Sequence, residues 1–156
     1  MCSAEVIYDD LDHHISLAGS LERACVPMGM YLAWCANLHL VSQSLQHRSE
    51  TLLLRLRYRE VTGSELLVAG CGGRFTSESL NQQGKEFTDS YYESFLDDFR
   101  TVFGEDIYDV KDDWTHYDRL SPVLTRCFMQ SAAGASRDLR ARDGRGRGGR
   151  WWKFWS

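Results

Sequence analysis

Aspartate and histidine side chains, which are common metal ligands, lie close together at two places in this chain of 156 residues. Five of them are near the N-terminus: Asp9, Asp10, Asp12, His13 and His14. Asp112 and His116 are four residues apart, so a helix would place them on one face. Neither group has the tight repeated spacing of a motif such as HExxH. We therefore expect solvated or helix-capping roles for these residues, and we predict no metal site.

Cys71 stands next to glycines and could be an exposed nucleophile with His116 or His39 as its base. No Cys-His signature supports that chemistry, so a loop after a helix is the better interpretation. The glycines at 70–73 follow a predicted helix and lack a Gly-Lys-Ser/Thr ending, so they are not a phosphate-binding loop. These residues predict a protein that is not an enzyme and uses no cofactor.

The fold must form around an apolar helix over residues 27–41, PMGMYLAWCANLHLV. Apart from Asn37 and His39 it is apolar on every side, and a helix with no polar face must be buried. Its length of about 15 residues is short of the 20 or so that cross a bilayer, so we expect the core of a soluble domain. We place Pro27 in the first turn, and Ser20 can cap a preceding helix that either merges with this one or ends before it.

A second long helix is predicted from about residue 77 to 103 by aromatic residues at four-residue spacing: Phe87, Tyr91, Phe95, Phe99 and Phe103. Each step rotates by about 40°, so the rings form one slowly winding apolar arc. Gly84 lies in this arc, where another helix could approach closely. Asp98 lies at its edge, and we expect a half-buried carboxylate there.

Shorter helices are predicted around these two. Periodic leucines indicate an amphipathic helix within residues 42–58. Thr62 and Glu65 match a capping box for a short helix that the glycine cluster ends. A last helical region spans residues 114–130, with a break expected just before Pro122. We expect an irregular N-terminal arm that could contain a short strand.

These elements predict an all-α protein with one compact domain of five or six helices over residues 1–130. Residues 131–150 are rich in Gly, Ser and Arg and predict a flexible linker, and residues 151–156 form an aromatic tail, which we expect to be disordered. The five cysteines are odd in number and lack any CxxC pair, which favours reduced thiols. With no export signal at the N-terminus, we expect a cytoplasmic protein.

The net charge of −4 is divided unevenly along the chain. Residues 137–156 contain six Arg and one Lys against two Asp, a charge of +5, whereas residues 1–136 hold the other 11 basic and 20 acidic groups, a charge of −9. An acidic body attracts basic proteins and repels nucleic acid and anionic lipid. A protein partner is therefore expected to be basic.

Five segments in this order resemble a family of small bacterial proteins of unknown function. They are YDD at 8–10, GMYLAWC at 29–35, the NxxGxxFxxxYY run with its flanking residues at 80–98, YDRLSPVL at 117–124 and WWKFW at 151–155. The resemblance implies no established activity. Because some relatives are associated with toxin neighbourhoods, it implies an immunity-type binding protein.

Two groups of side chains are candidates for partner contact. The first lies in the acidic connector after the second long helix and in the YDRL segment: Glu105, Asp106, Asp109, Asp112, Tyr117 and Arg119. Tyrosine and arginine are typical of interface hot spots, although Asp118 and Arg119 could equally form a surface pair or cap a helix. The second group is the aromatic tail: Trp151, Trp152, Phe154 and Trp155.

The tail permits more than one function. Its aromatic and basic residues are typical of protein contacts and of membrane interfaces, and the preceding RGRGGR resembles RNA-binding segments. An acidic body opposes both anionic surfaces, which makes nucleic acid an unfavourable partner. We therefore expect a non-enzymatic protein-binding module, plausibly an immunity protein that neutralises a toxin through an acidic surface. The alternative is a peripheral membrane or nucleic-acid-associated adaptor that acts through the tail.

Overall fold

In a computed structural model of the chain, the backbone is described for residues 5–147 and side chains for residues 5–132. The helices are α1 (Leu11–Ala18), α2 (Leu21–Asn37), α3 (Gln43–Arg48), α4 (Glu50–Arg57), α5 (Gly63–Glu65), α6 (Gln82–Phe103) and α7 (Trp114–Arg147). Strands β1 (Ile7–Asp10) and β2 (Arg74–Thr76) form a small antiparallel sheet. The predicted all-α class is confirmed, and β1 supplies the short strand for which the N-terminal arm had room. The chain divides into two compact units after Pro122.

The central helix α2 is buried as predicted, since residues 24–36 are all inaccessible or nearly so. It begins at Leu21, where the Ser20 hydroxyl caps it by accepting from the Arg23 N–H, so the two possible helices are one. The placement of Pro27 in a first turn is therefore wrong. Proline leaves the carbonyl four residues earlier without a partner, and here that carbonyl belongs to the exposed Arg23, where water can reach it.

Helix α2 ends four residues earlier than predicted because the chain reverses at His39. The φ angle of His39 is +59°, a left-handed conformation. The N–H of Leu40 donates to the Cys35 carbonyl and that of His39 to the Ala36 carbonyl. These two bonds make a Schellman ending with histidine in the usual glycine position. Leu40 and Val41 remain buried, which is why their apolar character extended the predicted helix.

Two glycines allow α2 and α5 to touch through their backbones. A Cβ atom added at Gly63 would lie 1.8 Å from the carbonyl oxygen of Gly29. Gly84 also marks a close approach, as predicted, but the neighbour is the Leu40 carbonyl in a loop and not another helix. The predicted capping box at Thr62 is wrong: its side chain makes no capping bond, and α5 continues as a π-helical turn over Leu66–Gly70.

The aromatic arc of α6 is confirmed, with Phe87, Tyr91, Phe95 and Phe99 buried. The helix begins at Gln82, later than predicted, because Ser77–Ser79 form a 3₁₀ turn and the Asn81 side chain then accepts from the Gly84 N–H at 2.8 Å. Asp98 is half-buried, as expected, and accepts from the Tyr91 hydroxyl.

Helix α7 differs from the sequence prediction in two ways. The expected break before Pro122 is absent, and the carbonyl that proline leaves unpaired belongs to the exposed Asp118, where water can hydrate it. The backbone is also helical from residue 131 to Arg147, where a flexible linker was predicted, and the Ala and Arg residues there have high helix propensity. Residues 148–156, and with them the predicted aromatic tail, lie outside the described residues.

Candidate functional site

An open groove of about 610 Å³ lies between β1 and α6. One wall is the strand with the start of α1, and the other is one face of the aromatic helix. The described residues that line it are Val6, Ile7, Tyr8, Asp9, Asp10, His13, His14, Thr88, Asp89, Tyr92, Glu93 and Leu96. Sequence segments about 80 residues apart thus form one surface, positioned by the pairing of β1 with β2 and by the burial of the aromatic arc.

Tyr8 connects the two walls of the groove. Its hydroxyl donates to Asp89 Oδ1 at 2.6 Å, and its ring lies 5.3 Å from that of Phe75 and 6.3 Å from that of Tyr92. Burial, followed by the hydrogen bond to Asp89, raises the pKa of Tyr8 well above its ordinary value. Tyr8 is therefore a neutral donor that orients the Asp89 carboxylate in the groove.

Asp9 is the most heavily hydrogen-bonded carboxylate of the groove. It accepts from the Tyr92 hydroxyl at 2.7 Å, from His14 Nε2 at 2.7 Å and from the Asp10 N–H at 2.9 Å. Burial acts to raise the pKa of Asp9, but the hydrogen bonds from His14 and Tyr92 outweigh it and hold the pKa below its ordinary value. Asp9 is consequently ionised at neutral pH.

His14 lies between Asp9 and the connector that follows α6. It is 3% exposed, and its Nδ1 is hydrogen-bonded to the Tyr108 hydroxyl. A neutral ring with the proton on Nε2 satisfies all three groups, since Nε2 then donates to Asp9 and Nδ1 accepts from Tyr108. Burial, and then the charge of Asp9, raise the pKa of Tyr108, so the phenol is a poor nucleophile. The chain of Tyr108, His14 and Asp9 holds the connector against α1.

The groove is negative and has an apolar end. Four of its lining residues are carboxylates, and no Lys or Arg is among the described lining residues. Arg74 reaches the edge of the groove, where Nε lies 3.1 Å from Asp10 Oδ2. Ile7 at the start of β1 and Val6 just before it are 54% and 48% exposed, a large fraction for apolar side chains. The surface therefore combines fixed carboxylates with accessible aliphatic groups.

A family model described as Domain of unknown function (DUF7832) matches residues 7–111, which are 105 of the 156 residues. The chain belongs to this family. All groove residues except Val6 lie within the part of the chain that matches the DUF7832 model, as do Asp106, Tyr108 and Asp109 of the connector. No curated protein and no solved structure matches the chain. Among the described residues, no helix is long and apolar enough to cross a membrane.

The acidic connector of this DUF7832 chain is partly available to a partner. Glu105, Asp106 and Asp109 are exposed. Arg23 fixes the connector, since its Nε donates to the Tyr108 carbonyl at 2.9 Å. Asp112 is half-buried, accepts from the Thr62 hydroxyl at 2.8 Å and has its pKa raised by burial, so it belongs to the interior side of the connector.

Tyr117, one of the candidates for partner contact, is largely buried. It is 6% exposed, and its hydroxyl accepts from Asn37 Nδ2 at 2.9 Å. Arg119 is exposed, donates to the Val102 carbonyl at 2.9 Å and lies 5.1 Å from the centre of the Phe103 ring. Asp118 pairs with Arg59 at 2.7 Å and not with its neighbour Arg119. The other candidates, Trp151, Trp152, Phe154 and Trp155, lie outside the described residues.

The residues first considered for chemistry take other roles in the structure. Asp112 and His116 do not form a pair, because His116 Nδ1 lies 2.7 Å from Asp113 Oδ1. Burial raises the pKa of Cys71, which keeps its thiol protonated at neutral pH. Within the described part of the chain, no group of three or more His, Cys, Asp or Glu side chains is placed to hold a metal ion. Asp9 and His14 bind each other instead.

Sequence reasoning missed the α6 side of the groove. The sequence predicted α6 and its aromatic arc but did not connect Tyr92 or Glu93 with the N-terminal Asp and His residues. Thr88 and Tyr92 are four residues apart, as are Asp89 and Glu93, so each pair shares a helix face, which is a usable signal. Tyr108 gave no signal, since its contact with His14 joins residues 94 positions apart.

Proposed function

We propose that this DUF7832 protein is a non-enzymatic protein-binding module that binds a basic partner at the groove between β1 and α6. The observation that supports the proposal is the composition of the groove: four carboxylates, no described Lys or Arg, and exposed Val6 and Ile7 beside them. Apolar contacts give a protein interface its lifetime, while charge complementarity selects the partner and speeds encounter.

The connector extends this surface. Tyr108 of the connector contacts His14 of the groove, and the exposed carboxylates of Glu105, Asp106 and Asp109 lie within three residues of Tyr108 in the chain. A basic protein larger than the groove would therefore meet negative charge around it as well. Arg119 is exposed at the C-terminal end of α6, where the connector begins, and remains a candidate for a separate contact.

An immunity protein that neutralises a basic toxin is the specific form of this proposal. Its support is the resemblance to proteins associated with toxin neighbourhoods and the acidic character of residues 1–136. A toxin whose active surface binds nucleic acid or another anion would be basic, and an acidic surface can cover it without catalysing any reaction.

Charge reversal in the groove tests the proposal. The tagged full chain and an Asp89→Lys/Glu93→Lys variant would be used to capture proteins from the source cell at low salt, with Asp97→Lys as a control on the same helix. We expect the wild type and the control to retain one basic protein in near-equal amount to the bait, and the groove variant to lose it. Equal capture by the groove variant and the wild type would contradict the proposal.

The immunity-type form needs a functional readout. Expression of the captured protein alone should arrest growth of a test strain, and co-expression of the wild-type chain should restore growth. Asp89→Lys/Glu93→Lys should fail to restore it while remaining folded by circular dichroism. If the captured protein does not affect growth, the proposal of a protein-binding module is retained and the proposal of an immunity role is rejected.

A further inference from the structure

We infer that the partner enters the groove as an extended, cationic segment that lies along the free edge of β1. The inference rests on the proposed function and specifies the form of ligand that this site takes. A helix or a folded surface could also carry basic groups, but the strand, the dimensions of the groove and the arrangement of its side chains favour an extended segment.

The strand has a free edge. The sheet has two strands in the order β1-β2, so among the described residues β1 has a strand neighbour on one side only. Backbone N–H and C=O groups on the other side of such a strand can pair with an added chain. The register of β1 and β2 shifts between Ile7 and Asp9. This irregularity shortens the regular edge, which limits uncontrolled pairing between copies.

The two walls of the groove have matching lengths. The four residues of β1 extend about 13 Å at the usual rise of a strand. The lining part of α6, from Thr88 to Leu96, extends about 12 Å at the usual rise of a helix. A short extended segment of about the length of β1 would therefore match the lining part of α6 in length.

The side chains of the groove suit alternating cationic and apolar residues. Successive side chains of an extended segment point to opposite faces, so every second one meets the same wall. Asp89 and Glu93 on α6 can take lysine or arginine, because they are one helical turn apart on the lining face. Val6 and Ile7, on the opposite wall, offer aliphatic contact to the residues between.

Hydrogen bonds already fix these walls before any partner arrives. Tyr8 holds Asp89, while Tyr92 and His14 hold Asp9. A surface that is ordered in advance loses little conformational entropy on binding.

Synthetic peptides test the inference directly. The probe is a peptide of about eight alternating lysine and valine residues, with blocked ends, titrated at low salt into the full chain. We expect it to bind and to slow amide hydrogen exchange at residues 6–10. The same sequence with alternate backbone nitrogens methylated keeps its charges but cannot pair along one edge, so it should bind about tenfold more weakly.

Variants locate the binding. Glu93→Gln should weaken the lysine-valine peptide about tenfold, and Asp97→Asn, an exposed carboxylate elsewhere on α6, should leave it unchanged. A Glu-Val peptide of the same length should not bind. If the lysine-valine peptide fails to bind, binds equally well when methylated, or leaves exchange at residues 6–10 unchanged, the inference is wrong. In that case a captured basic protein that still depends on Asp89 and Glu93 would leave the proposed function standing.

Discussion

Asp9 joins three parts of the molecule through one carboxylate. It belongs to β1, and its partners are Tyr92 on α6 and His14 on α1, whose other ring nitrogen contacts Tyr108 in the connector. Its side chain is 10% exposed, so the bonds it accepts replace most of its hydration. Loss of the negative charge should therefore loosen both walls of the groove and the connector together.

We predict that Asp9→Asn lowers the free energy of unfolding by about 1–3 kcal/mol at neutral pH, because an amide cannot accept all of these bonds. The folded pKa of Asp9 is lowered, so the stabilisation is fully present above the unfolded value of about 3.9 and is lost as pH falls through the folded pKa. Urea denaturation of wild type and variant at several pH values measures both effects. The difference in the free energy of unfolding between the two proteins should become smaller below about pH 4.

The matched control for Asp9 is Asp97→Asn. The Asp97 side chain is 79% exposed, and its partner is Arg100 one turn away. Its replacement should change stability by less than about 0.5 kcal/mol at any pH. If the stability difference between the wild type and Asp9→Asn stays constant from neutral to acid pH, the loss of stability comes from packing and not from the charge.

At the scale of elements, α2 and α6 form the frame that supports the groove. Tyr31 of α2 packs its ring 5.0 Å from Phe95 and 5.0 Å from Tyr92, and its hydroxyl lies 2.9 Å from that of Thr88. Thr88 and Tyr92 of α6 are therefore held in place by the core, while Asp89 and Glu93 next to them are exposed in the groove. This is how a buried aromatic arc fixes an exposed binding wall.

Phe95→Ala should lower the free energy of unfolding by about 3–5 kcal/mol, because the ring is fully buried at the middle of the arc. Glu93→Ala, two residues away on the exposed side, should change it by less than about 0.5 kcal/mol. Chemical denaturation gives both values. Equal losses at the two positions would mean that the orientation of α6 is wrong.

The contact between α2 and α5 permits no side chain. We predict that Gly63→Ala lowers stability by about 3 kcal/mol or more, since its Cβ would lie 1.8 Å from the Gly29 carbonyl oxygen and the backbones would have to separate. Glu65→Ala, an exposed position in α5, is the control and should have little effect. A Gly63→Ala protein with the wild-type melting temperature would show that the helices do not approach this closely.

The long helices could be predicted from sequence because their signals are local and repeated. An all-apolar segment has to be buried, and rings at four-residue spacing have to share a face, whatever surrounds them. Pro27 and Pro122 misled the prediction of helix boundaries because the cost of a proline depends on whether water reaches the unpaired carbonyl, which is a property of the fold. The same holds for His39, whose left-handed conformation ends α2 without a glycine.

The candidate site was less accessible to sequence reasoning for a related reason. Asp9 and His14 were noticed by residue type, but their partners Tyr92 and Tyr108 are distant in sequence. A short strand with a register shift carries almost no periodic signal, so the wall formed by β1 was only a weak expectation. Tyr117 is a further example, since its residue type is typical of interfaces but gave no sign that its side chain is buried.

At the scale of the whole molecule, the acidic residues 1–136 and the basic C-terminal residues could each carry a binding function. Removing the tail distinguishes the two. Deleting residues 148–156 removes Arg150 and Lys153 and changes the net charge from −4 to −6. If the groove carries partner binding, the deletion should leave the affinity unchanged or slightly higher, because the molecule becomes more acidic. Flotation of the full chain with anionic liposomes, lost on deletion, would instead favour the alternative of a membrane adaptor that acts through the aromatic tail.

The acidic body should also control the rate at which a basic partner arrives. Residues 1–136 carry a net charge of −9, and the field of such a body attracts a basic protein over distances set by the screening length. That length falls from about 30 Å at 0.01 M salt to about 8 Å at 0.15 M. Association with the captured partner should therefore be fast at low salt and slow markedly as salt is added.

Two sets of variants should separate the effect of the connector on the association rate from the effect of the groove on the dissociation rate. Reversing the exposed connector charges at Glu105, Asp106 and Asp109 should lower the association rate by about tenfold at low salt and leave the dissociation rate almost unchanged, because these groups steer encounter. Truncating Ile7 to alanine should raise the dissociation rate instead, because its exposed side chain would be covered in the complex. Surface plasmon resonance at several salt concentrations measures both rates. Connector reversal that changes only dissociation would place the connector inside the interface and remove its assigned role in steering.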